Sequence, residues 1–297
     1  MKCKFCNKEA EVTIRYPRMH LCENHFKEYC ENRVKNVIDK HRLIEKDEKL
    51  LVAVSGGKDS LVLAYILNKL GYEFEGLHID LGIEDYSEMC KKSSKKIFSE
   101  IGLPLHIVKI KKLLGRGIGE VKTRRPVCSY CGLTKRYIMN KFAYDNGFTA
   151  VATGHNLDDE SAFVFSNILH WNIDYLSKQG PLLEAEDKFV KKIKPLYELR
   201  DKEISLYASF AKIEHVTKKC KYARGATSIK YKKFLDILEK DNPGIKLNFI
   251  RGFLRNRKIF KKKDFELREC EICRMPSQGK RCAFCRFWRL KEPLMFQ

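Results

Sequence analysis

Between two apolar runs, Leu50 to Val54 and Leu61 to Leu67, stand six residues: Ser55-Gly56-Gly57-Lys58-Asp59-Ser60. An apolar run, paired glycines and a second apolar run read as buried strand, tight turn and helix. Adjacent glycines let the backbone approach an anion closely. The helix start behind them offers unpaired N–H groups and the positive end of its dipole. The pattern describes a phosphate cradle. It does not fit the G-x-x-x-x-G-K-[ST] loop, because the spacing fails and Asp59 stands where Ser or Thr is needed.

The surrounding pattern alternates. Strand-like runs are Leu50–Val54, Phe74–Ile79, Leu105–Ile110 and Thr149–Thr153, with helical stretches at Asp59–Lys69, Tyr86–Ile101, Leu133–Tyr144 and Asp158–Leu169. Repeated β-α units predict an α/β fold with a doubly wound parallel sheet. Ligands in such sheets sit beyond the carboxyl ends of the strands. The loops there are the glycine loop, His78-Ile79-Asp80, and Gly154-His155-Asn156-Leu157-Asp158-Asp159-Glu160. Backbone groups at Ile79 suit the edge of a base. The carboxylates of the third loop either hold Mg²⁺ and position phosphates, or serve only as helix N-terminal charge. Gly180 to Lys188 reads as a turn and mobile loop. From Pro195 the pattern turns helical through Asp201–Phe210, and a second helical, basic stretch runs up to Phe253.

The 297 residues allow one large α/β domain with small modules. The expected division is residues 1–30, a zinc finger; 31–215, the nucleotide-binding catalytic domain; 216–265, a helical basic extension; and 266–297, a second finger. Apolar runs are strand-sized and nothing resembles a signal peptide, so a cytoplasmic protein with no membrane partner is expected. The net charge of +21 favours a polyanionic partner, nucleic acid first; a solvated lysine surface is the bland alternative. Three glutamines beside abundant Lys and Glu are compatible with a thermophile, though AT-rich coding has a similar effect.

Twelve cysteines in such a chain point to metal or redox chemistry rather than disulfides. Cys3-x2-Cys6 with Cys22-x2-His25, and Cys270-x2-Cys273 with Cys282-x2-Cys285, are two tetrahedral zinc patterns. His25 fits the second pair's spacing and His20 does not. Neither set leaves an open ligand position, so both read as structural, with metal supplying folding energy. A basic run, Arg255, Arg257, Lys258, Lys261, Lys262 and Lys263, precedes the second finger, which carries Arg281, Arg286, Phe287, Trp288 and Arg289. Cations among aromatics suit RNA; a solvated face with core aromatics is the alternative. Cys30 and Cys90 lack partners at ligand spacing and read as packed thiols. Cys128, Cys131 and the distant Cys220 remain. Three thiolates can bind a [4Fe–4S] cluster and leave one iron open, or pass a persulfide and close a disulfide, or be structural.

The SGGKDS loop resembles the PP-loop of the ATP pyrophosphatase superfamily. With the CxxC after the third strand, GHNxDDE, a lone downstream Cys and the two flanking fingers, the whole chain resembles the PP-loop tRNA 2-thiouridine synthetases. The fingers and the Gly-Ala-Thr stretch after Cys220 point to the TtuA type, beside its archaeal and eukaryotic wobble-uridine relatives. The resemblance implies an adenine nucleotide alpha-hydrolase-like fold. It implies that Ala53, Val54, Ser55, Gly56, Gly57, Lys58, Asp59, Ser60, Ile79, Gly154 and Asp159 bind ATP. It assigns Cys128, Cys131 and Cys220 to the cluster, and Lys135 and Asp159, with Asp59, to catalysis.

The activity so implied is adenylation of a tRNA uridine 2-oxygen and its replacement by sulfur, at T-loop position 54 or at the wobble position. The resemblance further implies a homodimer and an outside sulfur donor, either a ubiquitin-like thiocarboxylate carrier or inorganic sulfide. Two rivals remain. Other PP-loop modifications include cytidine thiolation and lysidine formation, of which the second has no use for the internal cysteines. A zinc-stabilised RNA-binding module with a decayed pocket is opposed by intact Lys58, Asp59 and Asp159.

Overall fold

Five parallel strands build the sheet that positions every loop of interest. The computed structural model describes residues 1–222, 227–261 and 266–296. Ala223 to Ala226 of the stretch after Cys220, and Lys262 and Lys263 of the basic run, lie outside the described residues.

The chain opens with a hairpin, β1 (Val12–Arg15) and β2 (Arg18–Leu21), and α1 (Glu23–His41). Then β3 (Leu50–Val54), α2 (Lys58–Lys69), β4 (Glu75–Asp80), α3 (Glu84–Ile101) and β5 (Leu105–Lys109) alternate. A short α4 (Ile110–Leu114) precedes α5 (Val127–Asp145), β6 (Ala150–Ala152), α6 (Leu157–Leu169) and α7 (Ile173–Ser177). Next come β7 (Leu182–Leu183), β8 (Lys191–Ile193) and α8 (Asp201–Phe210). Helices α9 (Thr227–Asp241) and α10 (Ile245–Asn256) follow, then β9 (Arg268–Glu269), β10 (Pro276–Ser277) and α11 (Ala283–Trp288). No helix among the described residues is long and apolar enough to cross a membrane.

The sheet order is β5-β4-β3-β6-β8-β7, parallel throughout except for β7 at the edge. From β3 the chain moves one way to β4 and β5, then returns to β6 on the other side. That reversal places the ligand crevice between the ends of β3 and β6. The doubly wound sheet matches the sequence expectation, with one difference. Leu182 and Leu183 pair with Lys192 and Ile193, so part of the stretch read as a loop is an edge strand. Two- and three-residue strands are too short to show a period-two pattern.

Strand alternation divides the core. Leu50, Val52 and Val54 face one apolar cluster, with α1, α2, α8 and α10, while Leu51 and Val151 face another, with α5 and α11. In α2, Leu61, Val62, Leu63, Ala64, Ile66 and Leu67 are all fully buried. Each large apolar side chain so buried contributes about 1.5–3 kcal/mol. The amino-terminal Cys3, Cys22 and Phe26 belong to the first cluster, the carboxyl-terminal Cys270, Cys273, Phe284 and Trp288 to the second. The C-terminal unit is bolted to α5: Phe284 stacks on Tyr137, Phe287 stacks on Tyr130, and Trp288 Nε1 donates to Thr134 Oγ1 at 3.0 Å.

Candidate active site

The glycine loop leaves β3 and enters α2 at Gly57, whose extended backbone caps the helix. Ser60 closes the turn from within. Its Oγ donates to the Gly57 carbonyl at 3.0 Å and accepts from the Ser55 N–H at 3.0 Å. Gly56 is required twice. It has φ +78°, and a Cβ there would stand 2.5 Å from the Cys90 backbone on α3. The Gly56 carbonyl accepts from Val216 N at 3.0 Å, fastening the loop to the segment that leads to Cys220. The first N–H groups of α2 have no partner within the helix and face the mouth of the crevice.

Lys58 Nζ reaches Asp59 Oδ1 at 2.7 Å and Asp201 Oδ1 at 2.6 Å. Burial disfavours its charge, but the two carboxylates outweigh that and hold the ammonium above its ordinary range. Burial raises the Asp59 carboxyl; Lys58 opposes the shift, and the charges of Asp201 and Asp159 add to it. The three acids therefore share one neighbourhood.

The loop after β6 forms the facing wall. A Cβ on Gly154 would lie 2.9 Å from the Asp59 carbonyl carbon and the Ser60 nitrogen, so this loop packs directly against the start of α2. Asn156 caps α6, its side-chain oxygen accepting from Asp158 N and Asp159 N at 3.0 Å each. The two aspartates then diverge. Asp158 is buried, accepts from Asp201 N at 2.6 Å and pairs with Lys246 of α10. Asp159 turns to Lys232 of α9. Asp158 thus ties α8 and α10 to α6, and Asp159 is the acid left at the crevice. His78 of β4 is buried, its Nδ1 3.0 Å from the Val54 carbonyl; Ile79 follows, and it and Ala53 are half-buried against the second apolar cluster.

Cys128 and Cys131 stand on the first turn of α5, Cys128 exposed and Cys131 half-buried. Cys128 Sγ donates to the Tyr222 carbonyl at 2.9 Å, and Lys221 pairs with Glu84 of α3 at 2.6 Å. Those bonds bring Cys220 to the pair. Burial pushes the Cys131 thiol up, opposed by Lys135, while Cys128 and Cys220 add to the rise. Cys90 is buried, as expected of a packed thiol, yet its thiol feels both Cys220 and Lys135. The three thiols and Lys135 therefore lie along α3 and α5 beside the glycine loop.

The terminal sets are tighter. Ligand atoms of Cys3, Cys6, Cys22 and His25 lie within 4.8 Å of one another, as do those of Cys270, Cys273, Cys282 and Cys285. Cys6–Cys22 and Cys273–Cys282 have Sγ···Sγ separations of 3.8 Å. Sulfurs about 2.3 Å from one tetrahedral zinc stand about 3.8 Å apart. Cys128, Cys131 and Cys220 are not gathered so closely. A cubane with a separate iron for each cysteine holds its thiolates further apart than a single ion does. His20 sits outside the first set, 3.0 Å from Thr13 Oγ1.

Sequence reasoning missed Asp201, Lys232 and Lys246. Each meets its partner across a long separation in the chain, so nothing local marks it. The acid at the start of α8 was the one visible hint for Asp201.

These features define a class. Residues 26–224 match the model of the PP-loop domain, and residues 2–27 match that of the 2-thiouridine synthetase TtuA N-terminal LIM domain. The chain is 59% identical to the tRNA-5-methyluridine(54) 2-sulfurtransferase of Pyrococcus horikoshii, across 100% of this chain and 96% of that one. It is 43% identical to the protein of the same name from Thermotoga maritima, across 98% and 97%. Among solved structures it resembles the U34-tRNA thiolase NcsA from Methanococcus maripaludis with its [4Fe-4S] cluster, at TM-score 0.85 and 28% identity over 99% and 98% of the two chains. The chain belongs to the TtuA family of PP-loop proteins.

Proposed function

We propose that this protein is a tRNA 2-sulfurtransferase that uses ATP to convert the uridine or 5-methyluridine at position 54 to its 2-thio form. One observation carries the reading. Three thiols, none committed to a terminal metal set, adjoin a phosphate cradle through Gly56, Cys90 and the Cys220 segment.

ATP lies across the switch point. Ala53, Val54, Ser55 and Ile79 flank its base and ribose, and residues 56–60 with Gly154 cradle its phosphates. The uridine 2-oxygen attacks the α-phosphorus, the bond to the β-phosphate oxygen breaks, and pyrophosphate leaves. Lys58, kept protonated by its two carboxylates, offsets charge on the phosphates. Asp59 and Asp159 would supply oxygen ligands for a Mg²⁺ bound with ATP. A sulfur nucleophile then forms a bond to C2, and AMP departs with the original oxygen. Asp159 and Lys135 move protons in these steps.

Cys128, Cys131 and Cys220 hold a [4Fe–4S] cluster. When bound, the cluster would supply iron–sulfur chemistry for delivering sulfur that comes from a carrier protein or from solution. Each terminal set would hold one Zn²⁺, which would supply folding energy to residues 1–30 and 266–297 on either side of the catalytic domain, residues 31–215. The basic extension, residues 216–265, meets tRNA. The protein works in the cytoplasm as a homodimer.

The test is one assay with two readouts. Wild-type protein, anaerobically loaded with iron and sulfide, should release pyrophosphate only with tRNA present. Nucleoside mass spectrometry should then place the 2-thio group at position 54. Sulfur at position 34 would favour the wobble reading that likeness to the U34 thiolase supports. No thiolation at either position would defeat the proposal.

A further inference from the structure

A cavity of about 580 Å³ lies between the segment before α5 and helix α11. Arg116, Lys122 and Arg125 line one wall, Arg286 and Arg289 the other, and Phe287 the base. All five cations are exposed, and among the described residues none is held in an ion pair. Glu120, the acid at the rim, is already matched by Lys111 at 2.9 Å. A groove with this excess positive charge attracts a polyanion.

We propose that this groove grips the tRNA strand on either side of the target uridine. The inference rests on the tRNA reading above and adds where the strand lies. Chemistry at C2 of a stacked base requires that base to leave its stack, so its neighbours must be held while it is displaced. Four of the five cations are arginines, whose planar forks pair with phosphate oxygens and stack on bases. Phe287 stacks on Tyr130 at 4.9 Å, and Tyr130 sits between Cys128 and Cys131 on α5. Tyr130 also feels both thiols of the pair, so the groove adjoins them through this ring. Trp288, anchored on Thr134, fixes the finger wall to the same helix. A strand gripped here enters the reaction centre at a set distance.

The test compares tRNA binding by the intact protein and by the double variant Arg125→Ala/Arg286→Ala, one change on each wall, across a salt series. Losing two phosphate contacts should flatten the slope of log affinity against log salt by about 1.4–1.8. Melting temperature, zinc content and ATP binding should stay unchanged. An unaltered slope in the variant overturns the groove and leaves the tRNA reading intact. Wild-type protein that binds no tRNA overturns both. A slope unchanged while thiolation falls only with a protein sulfur carrier, and not with inorganic sulfide, assigns the groove to the carrier and also overturns the proposal.

Discussion

Cys128 Sγ donates to the main-chain oxygen of Tyr222 at 2.9 Å, joining the start of α5 to a segment 94 residues further along the chain. This contact, not any local motif, makes Cys220 a neighbour of Cys128 and Cys131. Replacing Cys220 with alanine should abolish visible absorbance and iron retention after anaerobic reconstitution. Zinc should stay at two per chain, because neither terminal set is touched. Metal analysis decides it: a Cys220→Ala protein that keeps its iron and still thiolates tRNA would remove the cluster from the mechanism.

Lys58 is held between Asp59 and Asp201, and its charge should matter to adenylation more than to tRNA binding. Lys58→Ala should lower tRNA-dependent pyrophosphate release by about 10²–10³-fold, the usual effect of losing one preorganised electrostatic group. tRNA affinity should change little. Equal losses in both would point to a folding defect instead.

Gly154 has no room for a side chain against the start of α2. Gly154→Ala should push the loop after β6 away from the glycine loop and weaken catalysis by about 10²-fold, as small misplacements do. The circular dichroism spectrum should stay native. An alanine variant with wild-type turnover would show that the loops move independently.

Glu198 binds α1 to α10. Its carboxylate accepts from Arg251 Nε at 2.9 Å and Nη2 at 2.5 Å, and its carbonyl accepts from Arg33 at 2.8 Å. Burial alone would raise its pKa, but the Arg251 fork, aided by Arg33, holds it below the ordinary glutamate value. A depressed acid contributes stability above its unfolded pKa, about 4.3, and loses that contribution as pH falls through the folded value. Glu198→Gln should therefore cost about 1.5–3 kcal/mol at neutral pH. The gap to wild type should shrink below about pH 4. A gap constant with pH in denaturant titrations would contradict the ion-pair account.

Trp288 is buried against α5, whereas Trp171, the second tryptophan, is 74% exposed. In a Trp171→Phe background, chelating the finger metal should shift emission to longer wavelength as α11 leaves its seat. Emission that stays blue after zinc is removed would mean the C-terminal unit keeps its fold without metal.

Much of this was written locally. The glycine loop, the strands around it and both finger patterns depend on residues a few positions apart. Helix periodicity, turn geometry and ligand spacing express themselves at that range. The short strands Leu182–Leu183 and Lys191–Ile193 escaped because so few residues carry no period. Residue type and spacing did not separate Asp158 from Asp159; only the resemblance singled out Asp159. The fold separates them, turning one inward to Lys246 and Asp201 and leaving the other at the crevice beside Lys232. Ion pairs act through space and leave no spacing in the chain. The sequence by itself therefore determined what kinds of chemistry this protein holds. The tertiary structure decided which partners its residues meet: Asp201 beside Lys58, Lys232 beside Asp159, and the Tyr222 carbonyl that joins the Cys220 segment to Cys128.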